Sequence, residues 1–400
     1  MLVTADRVFG GHLYVRNGKI AAISDDGTLP AREELDAAGL YVLPGMLDCH
    51  AHINDPGFTW REDLPHASEA AAVGGVTTLI DMPLQNTPPL TSADAFANKL
   101  AVFEGRSLVD YALWGGLVTD NTAELAGMDA AGAVGFKAFI APVSLGYSSV
   151  DMGLAREALF RIKAFGGLAG FHCEDHALIC AGEAKAKAGG GTRRAFLDSR
   201  PVVAEVIATA NVIELARETG ARVHICHVSH PRVAELVRRA QADGLSVTGE
   251  TCPHYLVFTE ENLLSCGTVF KCAPPLRTAE ARDGLWEYVL DGTLSCIGSD
   301  HSPSRPDEKD EAVHGVMGAW GGLSGLQSLV RSGRDPARVQ PEPAGPVRLL
   351  RREGVRPRRP QGRARRRARR GRRPDRSGQG LDDHRSFPAV SQSVLGLRRA

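Results

Sequence analysis

The sequence lacks the features of exported, membrane-spanning and disulfide-linked proteins. No apolar run reaches the roughly 18–20 residues that a membrane-spanning helix requires. The N-terminus has no basic flank followed by an apolar stretch, so it does not resemble a signal peptide. The eight cysteines include no CxxC pair, which is typical of reduced thiols in a chain of 400 residues. We therefore expect a cytoplasmic protein that does not engage a membrane.

Positive charge is scarce in most of the chain and concentrated at its C-terminal end. Residues 331–400 contain 21 arginines, no lysine and 6 acidic residues, whereas residues 1–330 carry 26 basic and 41 acidic residues. The C-terminal segment also has eight prolines and a single aromatic residue. Because it cannot bury enough apolar surface to offset its ordering entropy, we expect residues 331–400 to be disordered.

Two explanations of this Arg-rich segment remain open. A basic tail can bind nucleic acid or another polyanion, which we consider the weaker explanation. Our hypothesis is a frameshift, since out-of-frame codons of a GC-rich gene encode mainly Arg, Pro, Gly and Ala. Resequencing the gene tests this hypothesis, because one uninterrupted frame that encodes the tail in expressed protein would disprove it.

Residues 1–44 and 45–330 show two different patterns of secondary structure. The first segment consists of short strands, and Asn17-Gly18 predicts a hairpin with a type I′ turn. The second segment alternates apolar strands with helical patterns, several of which end in Gly. Its candidate strands cover residues 46–50, 76–81, 111–117, 135–140, 167–173, 222–228, 246–252 and 294–299. Eight such units predict an α/β fold with a TIM-type (β/α)8 barrel, preceded by a small N-terminal β region.

Potential metal ligands lie at the ends of five of these eight strands. In chain order they are His50, His52, Lys137, His172, His227 and Asp300. Imidazole and carboxylate groups are ligands that zinc prefers, and the C-terminal ends of barrel strands gather at one point. His50 and His52 flank Ala51 on a strand, so both imidazoles should point to the same face. The order and position of the six residues predict a metal-dependent hydrolase.

Individual members of this set have alternative explanations. Lys137 in the apolar strand GFKAFI either extends its amine to the barrel rim or is neutralised and carboxylated by CO2, giving a carbamate that bridges two metals. Asp300 either caps a helix or binds metal and accepts a proton from water. His224 lies an odd number of residues from His227 and should face the other side of its strand. His254 is a candidate for contacting the substrate or a ligand.

These motifs resemble the amidohydrolase superfamily, specifically its cyclic-amidase branch of dihydroorotase, dihydropyrimidinase (hydantoinase) and allantoinase. The resemblance rests on HAH, the lysine strand, the two later histidines and GSDH, and it covers roughly residues 1–330. It implies that the six residues hold two divalent ions, zinc being expected, bridged by carboxylated Lys137. In the implied mechanism the ions share a hydroxide that attacks a cyclic amide, and Asp300 delivers a proton to the departing nitrogen.

Local differences within the branch favour allantoinases. Where dihydroorotases carry an Arg for the substrate carboxylate, this chain has Asn54. DMPLQNTPPLT at 81–91 and KCAPPLR at 271–277 resemble allantoinases, whereas APVSLGYSSVD matches no single subfamily. We expect hydrolysis of allantoin to allantoate, with hydantoinase-type ring opening as the alternative. The resemblance also implies that Asn54 and backbone groups around Cys272 and Ser302 contact this small-molecule substrate.

Relatives in this branch continue with helices and strands that complete a small β-sandwich with the N-terminal strands. The resemblance stops after about residue 330, so the partner C-terminal strands are expected to be missing. An inactive, truncated relative therefore remains an alternative. A non-catalytic scaffold is disfavoured because all six ligands are present. The resemblance implies a homotetramer or homodimer if the chain is intact.

Overall fold

The computed structural model describes residues 1–4, 7–143 and 146–325, together with the backbone of residues 396–399. Strands in these residues are β1 Leu2–Val3, β2 Val8–Phe9, β3 His12–Arg16, β4 Lys19–Ser24, β5 Leu40–Leu43, β6 Met46–Ala51, β7 Val76–Asp81, β8 Asp110–Leu113, β9 Gly115–Gly116, β10 Phe136–Phe139, β11 Leu168–His172, β12 Arg222–Ile225, β13 Val247–Thr251, β14 Cys296–Ile297 and β15 Gly396–Arg399.

The N-terminal strands form a hairpin and a small sheet. β3 and β4 pair antiparallel around Asn17 and Gly18, whose φ values of +53° and +72° fit the predicted turn. In the small sheet, β1 pairs antiparallel with β2 and parallel with β5. β15 pairs antiparallel with β5, so one C-terminal strand joins this sheet although the sequence predicts that such partners are missing. Apart from β15, the residues of the tail that are predicted to be disordered lie outside the described residues.

Nine short parallel strands occupy eight successive positions around a common core. β6 to β8 pair in chain order, and β9 to β14 do the same. β8 and β9 are two halves of one strand, interrupted at Trp114, whose N–H donates to the oxygen of Asp81 at 2.9 Å. A parallel bridge between Ala51 and His301 joins the first strand to the segment after the last. This arrangement agrees with the predicted α/β barrel class.

Helices alternate with these strands on the outer face. They are α1 Leu64–Gly74, α2 Ala93–Phe103, α3 Leu125–Ala131, α4 Met152–Ala164, α5 His176–Ala188, α6 Arg193–Ser199, α7 Val202–Thr219, α8 Pro231–Ala242, α9 Pro253–Val257, α10 Glu260–Cys266, α11 Ala279–Leu290 and α12 Glu311–Gly318. Side-chain caps begin several of them, as where Ser92 accepts a hydrogen bond from the N–H of Ala95. Within the described residues no helix combines the length and apolarity needed to cross a membrane.

Apolar side chains fill two layers, one outside and one inside the ring of strands. Leu79 belongs to the outer layer against the helices, whereas its neighbour Ile80 belongs to the inner layer with Trp114 and Phe139. This alternation follows from the period of two in a strand. Burying each such side chain contributes about 1.5–3 kcal/mol. The six candidate metal ligands lie above this interior, towards the C-terminal ends of the strands.

Candidate metal centre

His50, His52 and Asp300 converge where the first and last strands of the ring meet. The Nε2 atoms of His50 and His52 lie 3.1 Å and 3.2 Å from the same oxygen of Asp300. One donor atom from each of the three lies within 4.8 Å of the others, a spacing at which they can share an ion. The predicted side-by-side orientation of the two histidines is therefore present.

His172 and His227 form the neighbouring part of the same cluster. Their ring centroids are 4.6 Å apart, and the His227 ring is 5.4 Å from that of His50. The Nδ1 atom of His227 is buried and has no hydrogen-bond partner. A buried, unpartnered nitrogen facing other imidazoles is suited to a metal ion, because the ion would satisfy it.

Lys137 lies on β10 and is completely buried. Its amine has no hydrogen-bond partner and lies 5.2 Å from the centroid of the Phe139 ring. Burial, with a further contribution from the Lys137 charge, lowers the pKa of His227 well below its ordinary value. An unpaired ammonium in such a place is costly. The predicted alternative in which Lys137 reaches the solvent at the rim is therefore wrong.

Left-handed backbone occurs at two of the candidate ligands. His227 has φ +39° and Asp300 has φ +46°, both uncommon for residues other than glycine. β12 ends at Ile225, so the alternation along the strand does not continue to His227. His224, on β12, faces the interior 3.5 Å from Glu250, and the left-handed backbone at His227 brings the two side chains to the same side. This corrects the prediction that His224 faces away from His227. The strained backbone at His227 and Asp300 changes the direction in which their side chains point.

Two glutamates that the sequence analysis missed hold the outer nitrogens of candidate ligands. His50 Nδ1 contacts Glu250, and His172 Nε2 lies 2.7 Å from Glu174. Arg200 in turn contacts Glu174 at 2.5 Å. Metal-binding histidines usually donate their other N–H to a carboxylate in this way. Glu250 lies within a strand-like stretch of the sequence, and this position for a carboxylate was the available signal. Glu174 follows the end of its strand among polar residues and offers no such signal.

Electrostatics at the centre favour a neutral His52, a protonated His50 and an ionised Asp300. Burial lowers the pKa of His52 to about 4. Burial alone would also lower the pKa of His50, but the carboxylates of Glu250 and Asp300 raise it well above the ordinary value. The pKa of Asp300 lies well below its usual range because His50 outweighs the opposing effect of burial. A cation bound here would replace the proton of His50.

The predicted substrate-binding residues occupy different environments. Asn54 is fully buried, and both polar atoms of its amide lack partners. The Ser302 hydroxyl lies 3.4 Å from Gln85, whereas its N–H donates to the oxygen of Leu323 and is not available to a ligand. The Cys272 side chain packs in the hydrophobic core.

Two further groups near the centre enlarge the candidate site. His254 and Asp300 offer donor atoms within 4.8 Å of each other, and the Nε2 atom of His254 has no partner. Tyr147 comes from the stretch that matches no single subfamily, and its hydroxyl donates to the backbone oxygen of Lys137 at 2.6 Å. This bond fixes the end of the lysine strand against the following loop.

Similarity to known proteins identifies the family of this chain. A family model described as dihydro-orotase-like matches residues 39–232. An allantoinase from Solibacter usitatus is 40% identical over 308 residues, which are 76% of this chain and 67% of that protein. An allantoinase from Streptomyces avermitilis is 41% identical over 309 residues, covering 76% and 69%. The chain belongs to the cyclic-amidase branch of the amidohydrolase superfamily.

Similarity to solved structures supports the same family assignment. The L-hydantoinase (dihydropyrimidinase) from Arthrobacter aurescens has a TM-score of 0.80 and 37% identity, covering 83% of this chain and 74% of that chain. The predicted family and the enzyme class, cyclic amidohydrolase, are therefore confirmed. Members of the family are binuclear metal enzymes, and the histidine, lysine and carboxylate groups described above fit such a centre.

Proposed function

We propose that this cyclic amidohydrolase converts allantoin to allantoate at a binuclear metal centre. The observation that carries the proposal is the convergence of six side chains from distant parts of the chain on one buried point. They are His50, His52, Lys137, His172, His227 and Asp300. The choice of allantoin is supported by relatives called allantoinase that are 40–41% identical to this chain.

The donor set divides into two halves with a lysine between them. His50, His52 and Asp300 would hold one ion, and His172 and His227 would hold the other. Lys137 would bridge them as a carbamate, formed when its neutral amine adds to CO2 and releases a proton. This reaction replaces a buried cation by an anion with two ligand oxygens, which removes the cost of the unpaired ammonium. Zinc suits a set of nitrogen and oxygen donors.

When bound, the two ions would polarise the ring carbonyl and make hydroxide available at neutral pH. Asp300 then acts as the proton carrier. Because its pKa lies well below the usual range, it is ionised at neutral pH and can accept the proton of the attacking water. It lies at the junction of the first and last strands, from where it can deliver that proton to the departing ring nitrogen.

Asn54 supports a neutral, amide-rich substrate. Its buried amide has an unpartnered donor and an unpartnered acceptor, which together match the donor and acceptor edge of a cyclic ureide. A substrate carboxylate would find an amide at this position and not a guanidinium. Hydantoin-type rings share the ureide edge, and the likeness to the L-hydantoinase structure makes hydantoinase activity the second candidate.

The decisive experiment combines metal analysis with substrate comparison. The full chain, expressed with zinc and bicarbonate, should bind two ions and hydrolyse allantoin faster than hydantoin, dihydrouracil or dihydroorotate. Lys137→Ala should lose both metal and activity, and added acetate should restore part of each by supplying the missing carboxylate. Full metal content in Lys137→Ala would contradict the bridging role. Hydrolysis of hydantoin faster than that of allantoin would identify the enzyme as a hydantoinase and contradict the choice of allantoin.

A further inference from the structure

A second cluster of metal-binding side chains lies on the barrel interior, one layer below the candidate metal centre. It consists of Cys49, His224, Glu250 and Cys296, contributed by the four adjacent strands β6, β12, β13 and β14. Three of these residues precede a candidate ligand of the centre along the chain. Cys49 precedes His50, His224 precedes His227 and Cys296 precedes Asp300. The cluster therefore lies towards the N-terminal ends of the strands.

One donor atom from each of Cys49, Glu250 and Cys296 lies within 4.8 Å of the other two, and His224 adjoins Glu250. Cys49 Sγ lies 3.0 Å from Glu250 Oε2 and 3.5 Å from Cys296 Sγ. His224 Nε2 lies 3.5 Å from the same oxygen of Glu250. Cys49, His224 and Glu250 are buried, and Cys296 is half-buried. A tetrahedral ion with ligand distances of about 2.0–2.3 Å needs donors about 3.3–3.8 Å apart. The three separations of 3.0–3.5 Å are near that range, and His224 would have to turn towards the two sulfurs to become the fourth ligand.

The backbone around the cluster leaves room beside these donors. Glu250 and Cys296 are directly paired on adjacent strands, which places their side chains next to each other. Gly298 follows on the same segment, and a Cβ at this position would come within 2.8 Å of Glu250 Oε2 and 3.4 Å of Cys49 Sγ. Any other residue would fill the space next to the carboxylate and the thiol. Glycine keeps that space open.

We propose that Cys49, Cys296, Glu250 and His224 bind a third divalent ion of the zinc class, with a structural role. Two sulfurs, one nitrogen and one oxygen form a closed tetrahedral set, as in structural zinc sites. Binding would release the two thiol protons to solvent. The other carboxylate oxygen of Glu250 contacts His50, so the ion would also fix the orientation of a ligand of the catalytic centre.

Cobalt substitution tests the third site without relying on activity. The full chain is prepared with Co²⁺ in place of zinc, and its near-ultraviolet absorption and cobalt content are measured. The six candidate ligands of the catalytic centre include no thiol, but Cys226 and Cys252 lie within 4.8 Å of candidate ligands. A thiolate-to-cobalt charge-transfer band is therefore assigned to the lower cluster only if it survives in Cys226→Ser and in Cys252→Ser. We expect this band, together with one cobalt ion per chain beyond the catalytic pair.

Substitutions assign the band to particular thiols. Cys49→Ser with Cys296→Ser should abolish the band and lower the cobalt content by one ion per chain. Cys226→Ser is the matched control, since Cys226 is also buried beside Glu250 but lies outside the proposed set. It should leave the band unchanged. If the double variant does not fold, the proposal is tested by the spectra of the unaltered chain and of Cys226→Ser, both of which should show the band.

Three results would overturn the proposal. One is a chain whose catalytic pair is filled with cobalt and that shows no thiolate band. Another is loss of the band in Cys226→Ser alone. The third is a Cys49–Cys296 disulfide, found by mass spectrometry of the unreduced protein in place of a third ion. None of these results bears on the proposed ring-opening reaction, so the two proposals fail independently.

Discussion

Glu174 acts at a distance from the reacting atoms. It contacts His172 on one side and Arg200 on the other, and its pKa falls to about 2 because Arg200 and His172 outweigh the opposing effect of burial. An ionised carboxylate at this place holds the N–H of His172 and leaves the other ring nitrogen free for a metal ion. The orientation of the ligand thus depends on a residue that does not touch the ion.

Replacing Glu174 by Gln should weaken metal binding by about 10–100-fold. The amide keeps an acceptor for His172 but removes the negative charge that makes the imidazole a better ligand. Competition with a metal chelator measures the change. Glu183→Gln is the matched control, because Glu183 binds the same Arg200 at 2.9 Å but is not the carboxylate that contacts His172. Equal metal affinities in the two variants would contradict the role given to Glu174.

Asp300 can be tested separately as a proton carrier. Asp300→Asn retains a ligand oxygen but cannot accept a proton, so kcat should fall by about 10²–10⁴-fold. Metal content measured on the same preparation separates proton transfer from loss of the centre. Asp310→Asn serves as the control, because Asp310 caps α12 and is not part of the centre. A variant that keeps both metals and full kcat would remove Asp300 from the mechanism.

At the scale of elements, a buried charge pair joins α2 to the end of β7. Lys99 on α2 contacts Asp81 at the end of β7, and it also donates to the oxygen of Ile53 at 2.9 Å. Asp81 accepts from the N–H of Ile53 at 2.6 Å. Burial raises the pKa of Asp81 to about 6 and lowers that of Lys99. The pair therefore positions the residue after His52 at a cost in desolvation.

Lys99→Met should destabilise the fold by about 3–5 kcal/mol, because it leaves the Asp81 carboxylate buried without its cation. Denaturant unfolding measures this loss. The double variant Asp81→Asn with Lys99→Met removes both charges and should regain a large part of the lost stability. If the double variant is as unstable as Lys99→Met alone, packing and not charge accounts for the effect.

Periodicity was sufficient to predict most of the strands but not the directions of all side chains. Apolar runs and the strand-end rule placed the six candidate ligands, and the structure brings them together. His224 was assigned to the wrong face because alternation holds only while the backbone stays extended, and His227 has left-handed φ. Glu174 and Glu250 were missed because a carboxylate that supports a ligand has no fixed spacing from it. Contacts between distant strands decide such roles.

At the scale of the whole molecule, β15 covers one edge of the N-terminal sheet. It pairs with β5 from Leu40 to Leu43. Removing residues 396–400 should expose the backbone of β5 and promote self-association, since an unpaired edge strand is a template for other chains. Light scattering of the shortened and the full chain would detect the difference. Equal solubility and size of the two proteins would show that this pairing does not protect the sheet.

The oligomeric state, the cellular location and the origin of the Arg-rich tail stay predictions. All eight cysteines are free, as expected for reduced thiols. The homotetramer or homodimer expected from the family resemblance can be tested by light scattering of the full chain. Resequencing the gene tests the frameshift hypothesis. Expressing residues 45–330 alone and measuring their metal content tests the predicted domain limits at 44 and 330.

The junction between Ala51 and His301 also sets the order of events in synthesis. The first two candidate ligands leave the ribosome early, but Asp300 lies 248 residues after His52 and contacts it at 3.2 Å. The bridge from His301 to Leu323 adds a still later segment to the same junction. The half of the centre that includes Asp300 therefore cannot be complete until nearly all of the barrel has been made. We expect metal uptake at that half to follow folding of the barrel.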